Sequence, residues 1–315
     1  MTHARAIVMP AAQTVEVRAV ALTPALPTDV IVETLYTSIS AGTERMLYAG
    51  HMPHPMLQFP VIPGYETVGR VIAVGTDAPA ALLGQTVYVG GARCYVDVNP
   101  AWGGQSSIIH VDGKRVVTLD GLNPEHGVFL ALAATALHGV DIAGDMHGKK
   151  VLILGQGPVG QLAARIAKAR GATVIVTDVS ADRLKHSEAD LICDTSTQPL
   201  GSAGVTDCDV IIEASGSMQA AASAIGALAA GGTIVLLGYY DQIQLPYMPL
   251  FLKQARLFTS KEWAPGDLER SRDLLVSGVL DVHTLLTHRS TLDQISTAYT
   301  TALFDPHCLK LLLTW

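Results

Sequence analysis

Cysteine is scarce in this chain and poorly spaced for chemistry. Cys94, Cys193, Cys208 and Cys308 are its four cysteines in 315 residues, and no CxxC pair occurs. A structural zinc knuckle and a redox dithiol both need close pairs, so neither is expected. Charge is sparse too, at 16% of residues against 49% hydrophobic, which excludes an intrinsically disordered chain. A basic excess is missing. With a formal net charge of −7, the chain has no electrostatic grip on a phosphate backbone, and no nucleic-acid partner is expected.

Charge disappears altogether from Ala214 to Tyr240, a stretch of 27 residues. A membrane helix needs about 20 continuous apolar residues. This stretch is rich in Ala and Gly, and Gly231-Gly232 cuts it in two. The halves predict a helix over Gln219–Ala230 and a strand over Thr233–Gly238, so no transmembrane segment is expected. The first residues acquire charge too quickly for a secretory signal. The expectation is a reduced, cytoplasmic, globular protein.

At roughly 150 residues per domain, the length suggests about two domains. Short Val- and Ile-rich runs punctuated by Gly, Pro and Asp predict strands at Ala6–Met9, Thr14–Ala19, Asp29–Tyr36, Glu66–Val74 and Thr86–Val89. Near Pro124 the texture changes, and Glu125–Val140 predicts a helix. From Lys150 strands and helices alternate, ending with a strand around Arg256–Ser260 and a helix around Asp267–Ser277. Alternation of this kind builds a parallel sheet with helices on both faces. The expected division is 1–122, 123–265, and a return of 266–315 to the first domain.

Gly155-Gln156-Gly157-Pro158-Val159-Gly160 follows the apolar run Val151–Leu154 and opens a helix. In such a GxGxxG loop the first glycine permits a tight turn and the second lets backbone approach a pyrophosphate. The third lets helix and strand pack closely, and the helix N-terminus offers N–H groups to the phosphate. Asp178 ends the next strand, 18 residues after Gly160, where a carboxylate accepts from ribose hydroxyls and repels a 2′-phosphate. NAD is therefore the expected cofactor. Arg183 is a further candidate there, to cover adenine or a phosphate. Ser215, Gly238 and Tyr239 follow the fourth and fifth strands, where a parallel sheet lines its ligand crevice.

A β-rich domain first, a dinucleotide domain second and a short return resemble the medium-chain dehydrogenase/reductase superfamily over essentially the whole chain. Pro63-Gly64-Tyr65-Glu66-Thr67-Val68-Gly69-Arg70-Val71 is similar to that family's GHExxG-x-V signature, with Tyr65 where zinc forms carry histidine. Ser40-Ala41-Gly42-Thr43-Glu44 is similar to its Cys-Gly-Thr-Asp segment, with Ala41 in place of a cysteine ligand. The third ligand position falls near Ala131 in FLALAATALHG, and the lobe of four close cysteines is missing. The resemblance implies an α/β protein: a parallel, doubly wound Rossmann domain plus a β-rich GroES-like catalytic domain. It also implies an oxidoreductase with no metal site. SISAGTERMLYAGHMP with FPVIPGYETVGRV resembles, more narrowly, the hydroxyethyl bacteriochlorophyllide a dehydrogenases of photosynthetic bacteria. These oxidise the C3 1-hydroxyethyl group of a tetrapyrrole to acetyl with NAD. A homodimer through the nucleotide domain's edge strand is implied as well.

Without zinc, a secondary alcohol needs a protein group near its oxygen. Tyr65 is the first candidate, on condition that its pKa falls from about 10. Thr43 matches the hydroxyl that holds the alcohol in zinc members. Glu44 and Glu66 are further bases, or structural residues paired with Arg45, Arg70 or backbone donors. The relay histidine of the zinc forms falls at about Met46. His138 reads as a helix cap, or as a contact to the nicotinamide end. The segment from Arg45 to Gln58 places Arg45, Met46, Tyr48, His51, Met52, His54 and Met56 as substrate contacts, since methionine surfaces adapt to flat apolar partners. Whether His51 or His54 ligates the pigment's magnesium, or both are solvated loop residues, stays open. Two other functions also stay open: a zinc-independent quinone or enoyl reductase, and a non-catalytic NAD-binding sensor.

Overall fold

The computed structural model describes residues 2–53 and 57–315. The chain forms two compact units, Met1–Ala131 with Leu286–Trp315, and Leu132–Leu285. The sequence places these divisions at 122/123 and 265/266 instead. Two features account for the difference. The apolar helix after Phe129 continues across the first division, and the Asp267–Val276 helix is tied to the second unit by Arg270, which pairs with Asp141 at 2.7 Å.

The first unit opens with the hairpin of β1 (His3–Val8) and β2 (Glu16–Ala21). Next come β3 (Asp29–Ser38), α1 (Ala41–Ala49), β4 (Val61–Ile62), β5 (Thr67–Val74), β6 (Thr86–Val89), β7 (Asn99–Pro100), β8 (Ile108–Asp112) and β9 (Val116–Thr118). Helix α1 has an unusual start. Ser40 occupies the N-cap position, yet its side chain makes no capping bond. Glu44 reaches back instead and accepts the Ser40 N–H at 3.0 Å, satisfying an orphan donor as a capping-box glutamate does. The helix stops at Gly50, whose φ of 75° suits a left-handed C-cap.

The second unit begins within α2 (Leu130–Ala143) and continues through β10 (Lys150–Leu154), α3 (Pro158–Ala169), β11 (Thr173–Asp178), α4 (Ala181–Leu184), β12 (Leu191–Asp194) and β13 (Cys208–Glu213). It is completed by α5 (Met218–Ala224), β14 (Leu228–Leu236), α6 (Tyr247–Leu252), β15 (Arg256–Thr259) and α7 (Asp267–Val276). Its six strands are parallel in the order β12-β11-β10-β13-β14-β15. The order reverses beside β10, which creates the switch point where doubly wound sheets bind ligands. Strands buried on both faces read as continuous apolar runs, as in the KVLIL of β10 and the VII of β13.

The uncharged stretch corrects one expectation. The predicted Gln219–Ala230 helix stops at Ala224, and β14 starts at Leu228 and runs through Gly231-Gly232. Sheet pairing with β13 and β15 outweighs the helix propensity of Ala229 and Ala230. Among the described residues one helical stretch, His126–Ala143, is long and apolar enough to cross a membrane, and 67% of it is buried in the fold.

The chain ends in the first unit with β16 (His288–Thr291), α8 (Ile295–Phe304) and β17 (Leu311–Thr314). Strand β17 pairs antiparallel with β3, giving a seven-stranded sheet in the order β16-β17-β3-β5-β6-β9, with β8 on β3. One core packs Val30, Val32, Val71, Val87 and Ile109. A second packs Ile39, Leu47 and Met52 against Tyr299 and Leu303 of α8.

Candidate active site

The first unit gathers hydroxyls around Tyr65. The Tyr65 hydroxyl lies 2.6 Å from Ser40 Oγ and 3.1 Å from Thr43 Oγ1. Backbone geometry fixes this arrangement. Gly64, at φ 93°, turns the chain before Tyr65, and its carbonyl accepts the Gly104 N–H at 2.7 Å. The Tyr88 hydroxyl donates to the Tyr65 carbonyl at 2.7 Å. Ser40 leaves its own helix uncapped because its hydroxyl faces Tyr65, which explains why Glu44 serves as the cap.

Two buried carboxylates surround this cluster. Glu44, fully buried, accepts the Tyr299 hydroxyl at 2.5 Å and the Gln105 amide at 3.0 Å. Burial pushes its pKa up to about 7, against the lowering pull of Tyr299 and the Ser40 N–H. Glu66 pairs with Lys310, both almost completely buried, and also accepts the Ser38 hydroxyl. Its second oxygen, Oε1, has no hydrogen-bond partner. Glu44 thus meets the expected backbone donor, the Ser40 N–H, while these contacts of the two glutamates include neither Arg45 nor Arg70. Arg45 donates to the Leu303 carbonyl, and Arg70 points outward from β5. Burial first, and then the Glu66 charge, pushes the Tyr65 pKa above its ordinary value. The lowering set as a condition for Tyr65 is absent here, because no cation outweighs its desolvation. Tyr65 is a neutral phenol that donates and accepts.

The glycine loop in the second unit connects β10 to α3. Gly155 has φ 87°, and a Cβ on Gly160 would collide with the Gly155 carbonyl. A Cβ on Gly157 would meet nothing within 4 Å. Gly157 caps α3 without a side-chain bond, Pro158 fills the first turn, and no acidic residue stands there. A helix start beside open space with no acidic residue in its first turn suits an anion. Asp178 accepts the Gln156 N–H at 2.6 Å on one oxygen and the Ser180 N–H at 2.8 Å on the other. Each oxygen retains a lone pair, so the residues fit a dinucleotide's pyrophosphate and ribose. Arg183 stands 4.0 Å from Asp178. Beyond β13, Glu213 accepts from Ser215 and from the Gly216 N–H, which shapes that turn. Gly238 lies against Gly216, and Tyr239 is exposed.

Other predicted residues fall elsewhere. Met52 is buried, and Met46 and Tyr48 pack on the same core. The Tyr48 ring stacks 6.3 Å from that of Tyr299. Arg45 and His51 are exposed, while His54 and Met56 lie outside the described residues. His138 is inside α2 rather than at its end, with Nδ1 3.4 Å from Asp267, so it caps nothing. Ser40, Gln105, Tyr299 and Lys310 had not been singled out in the sequence. A signal for Lys310 existed: it is the single charge in the apolar run from Cys308 to Leu313.

Zinc does not fit these residues. Among the described residues no three His, Cys, Asp or Glu side chains converge, and of the carboxylates near Tyr65, Glu44 accepts from Tyr299 and Gln105 while Glu66 is paired with Lys310 through one oxygen.

Comparisons with known proteins agree with this architecture. Residues 26–121 match the alcohol dehydrogenase GroES-like domain, and residues 158–277 match the zinc-binding dehydrogenase family. A protein of Cereibacter sphaeroides named 2-desacetyl-2-hydroxyethyl bacteriochlorophyllide A dehydrogenase is 34% identical, covering 98% of both chains. One of the same name from Rhodobacter capsulatus is 35% identical, covering 93% of this chain and 92% of its own. Two solved structures share the fold over the whole of both chains. An alcohol dehydrogenase of E. coli in complex with NADH superposes with a TM-score of 0.88 at 22% identity. A putative zinc-binding dehydrogenase of Sinorhizobium meliloti bound to NADP gives 0.86 at 23%.

Proposed function

This chain belongs to the medium-chain dehydrogenase/reductase superfamily, and from that premise we propose that it oxidises the C3 1-hydroxyethyl group of a bacteriochlorophyllide to acetyl, with NAD and without catalytic zinc. The observation that carries the proposal is the hydroxyl cluster of Ser40, Thr43 and Tyr65, in which Tyr65 takes the position similar to a histidine ligand of zinc members and Thr43 that of their alcohol-holding hydroxyl. The two relatives named for this activity, alike over nearly the whole chain, support the substrate.

Bound NAD supplies the hydride acceptor. The chain's own residues must hold the alcohol and remove its proton. Thr43 and Tyr65 offer hydroxyls to the carbinol oxygen. Tyr65, kept protonated by burial, accepts the alcohol proton only as it releases its own to Ser40 Oγ, and Ser40 in the same step gives up its hydroxyl proton to a water molecule that carries it to solvent, so the cluster relays a proton and stores none. Glu66 Oε1, without a donor, is the second candidate acceptor. The Gly155–Gly160 loop grips the pyrophosphate. Asp178 accepts from the adenine ribose and disfavours NADP, with Arg183, Ser215, Gly238 and Tyr239 bordering the cofactor.

The test is an absorbance assay with 3-(1-hydroxyethyl) bacteriochlorophyllide a and NAD or NADP, with and without a zinc chelator. A chelator-resistant shift of the pigment's long-wavelength band with NAD is expected, and Tyr65→Phe should slow it about 100-fold with little change in KM. Turnover lost to the chelator would return a metal to the site. Turnover with NADP alone would sink the Asp178 assignment, and none with either cofactor would point to the reductase or sensor alternatives.

A further inference from the structure

The first unit contains a pocket of about 410 Å³ that the chemistry above does not use, bordered by Gln58, Gly90, Arg93, Asn99, Trp102 and Arg115. It is within the range of small-ligand sites, and suits one edge of a large flat molecule rather than all of it. Among the described residues that line it are two arginines and no Asp or Glu, in a chain of net charge −7. Arg115 is anchored by a bond to the Gly91 carbonyl at 3.2 Å. Among the described residues neither Arg93 nor Arg115 pairs with an acid.

Trp102 connects this pocket to Tyr65. Its backbone sits at φ 70°, a left-handed conformation that costs a bulky residue energy. Close backbone contact holds it there. The Trp102 carbonyl accepts the Ala92 N–H at 2.8 Å, and Gly91 leaves no room for a side chain beside that carbonyl. The Trp102 ring meets the Tyr65 ring edge-on, with centroids 5.4 Å apart and planes at 62°. One aromatic wall therefore borders both the arginine pocket and the hydroxyl cluster.

We propose that Arg93, Arg115 and Trp102 form a subsite for a free carboxylate carried on a flat, apolar ring. A ring lying along Trp102 places an acid side chain between the guanidiniums, which recognise carboxylates through paired N–H donors. This rests on the function proposed above. On a bacteriochlorophyllide the group is the unesterified propionate, so the subsite selects the free acid over an esterified pigment. An ester keeps the ring and loses the charge.

The test measures binding of chlorophyllide a and of its methyl ester by quenching of tryptophan fluorescence. Wild-type protein is compared with Arg93→Gln, Arg115→Gln and the charge-conserving Arg93→Lys, each checked for native circular dichroism. The wild type should bind the acid about tenfold more tightly, the equivalent of one charge-assisted hydrogen-bonded pair. Each Gln variant should lose most of that preference by weakening the acid alone, and Arg93→Lys should keep part of it. Equal wild-type affinity for acid and ester overturns the proposal, as does a preference unchanged in both Gln variants. Turnover of the hydroxyethyl pigment is recorded alongside. Turnover without acid preference removes the subsite and leaves the activity. Acid preference without turnover does the reverse, and failure to bind either pigment removes both.

Discussion

Glu44 concentrates several demands in one side chain. It caps α1 through the Ser40 N–H, accepts from Tyr299 and Gln105, and lies within reach of the Lys310 and Glu66 charges. Its folded pKa of about 7 exceeds the 4.5 of an ordinary glutamate, so the folded state holds a proton that the unfolded chain has released between those values. Stability from this group is fully present below about pH 4.5 and is lost as pH rises to about 7, by up to roughly 3 kcal/mol. Glu44→Gln should flatten that part of the Tm-against-pH curve, measured by calorimetry from pH 4.5 to 8. A variant curve parallel to the wild type would show that Glu44 does not titrate there. The sequence marks Glu44 and Glu66 as chemically interesting and allows a backbone donor such as the Ser40 N–H, yet it does not point to their side-chain partners. Tyr299 and Lys310 are more than 240 positions away, and no local pattern reports such a contact.

At the level of elements, the glycine loop was legible because its demands are local. A strand, a tight turn and a helix N-terminus involve neighbours in sequence, and each glycine has a separate task. That separation is testable. Gly157→Ala places a methyl group in open space at a φ of −67° that any residue adopts. It should leave Tm within about a degree while weakening NAD severalfold, since the pyrophosphate must approach that backbone. Gly160→Ala drives a methyl group into the Gly155 carbonyl and should lower Tm by several degrees, since overpacking costs about 1–3 kcal/mol. Calorimetry and NAD titration together distinguish the two. Equal losses in both would mean the loop tolerates no side chain at all. Strand β14 shows the opposite case: Ala- and Gly-rich sequence suggested a longer helix, and pairing with β13 and β15 made it strand.

For the whole molecule, the edge strand β15 raises the question of assembly. All four of its residues are exposed, Leu257 and Phe258 among them, as are Tyr247, Phe251 and Leu252 of α6. An unpaired edge carrying apolar side chains invites a second strand, and a second copy of this chain offers the same edge in reverse. We therefore expect a homodimer by light scattering after size exclusion, and a monomer for Phe258→Lys. A monomeric wild type at micromolar concentration would rule the pairing out.

Sequence alone determined the class of fold, the glycine-rich loop between β10 and α3, and the presence of Ala41 and Tyr65 at positions similar to zinc-ligand positions of the family, because each is written in residues close together in the chain. Only the tertiary structure decided what surrounds Tyr65. Ser40 turns from its own helix to Tyr65, Glu44 takes over the cap, Lys310 arrives from just before the last strand to meet Glu66, and Trp102 lines one pocket with two arginines. The physical reason is that a buried polar group must find its partner wherever the folded chain supplies one, and that partner's place in the sequence is arbitrary.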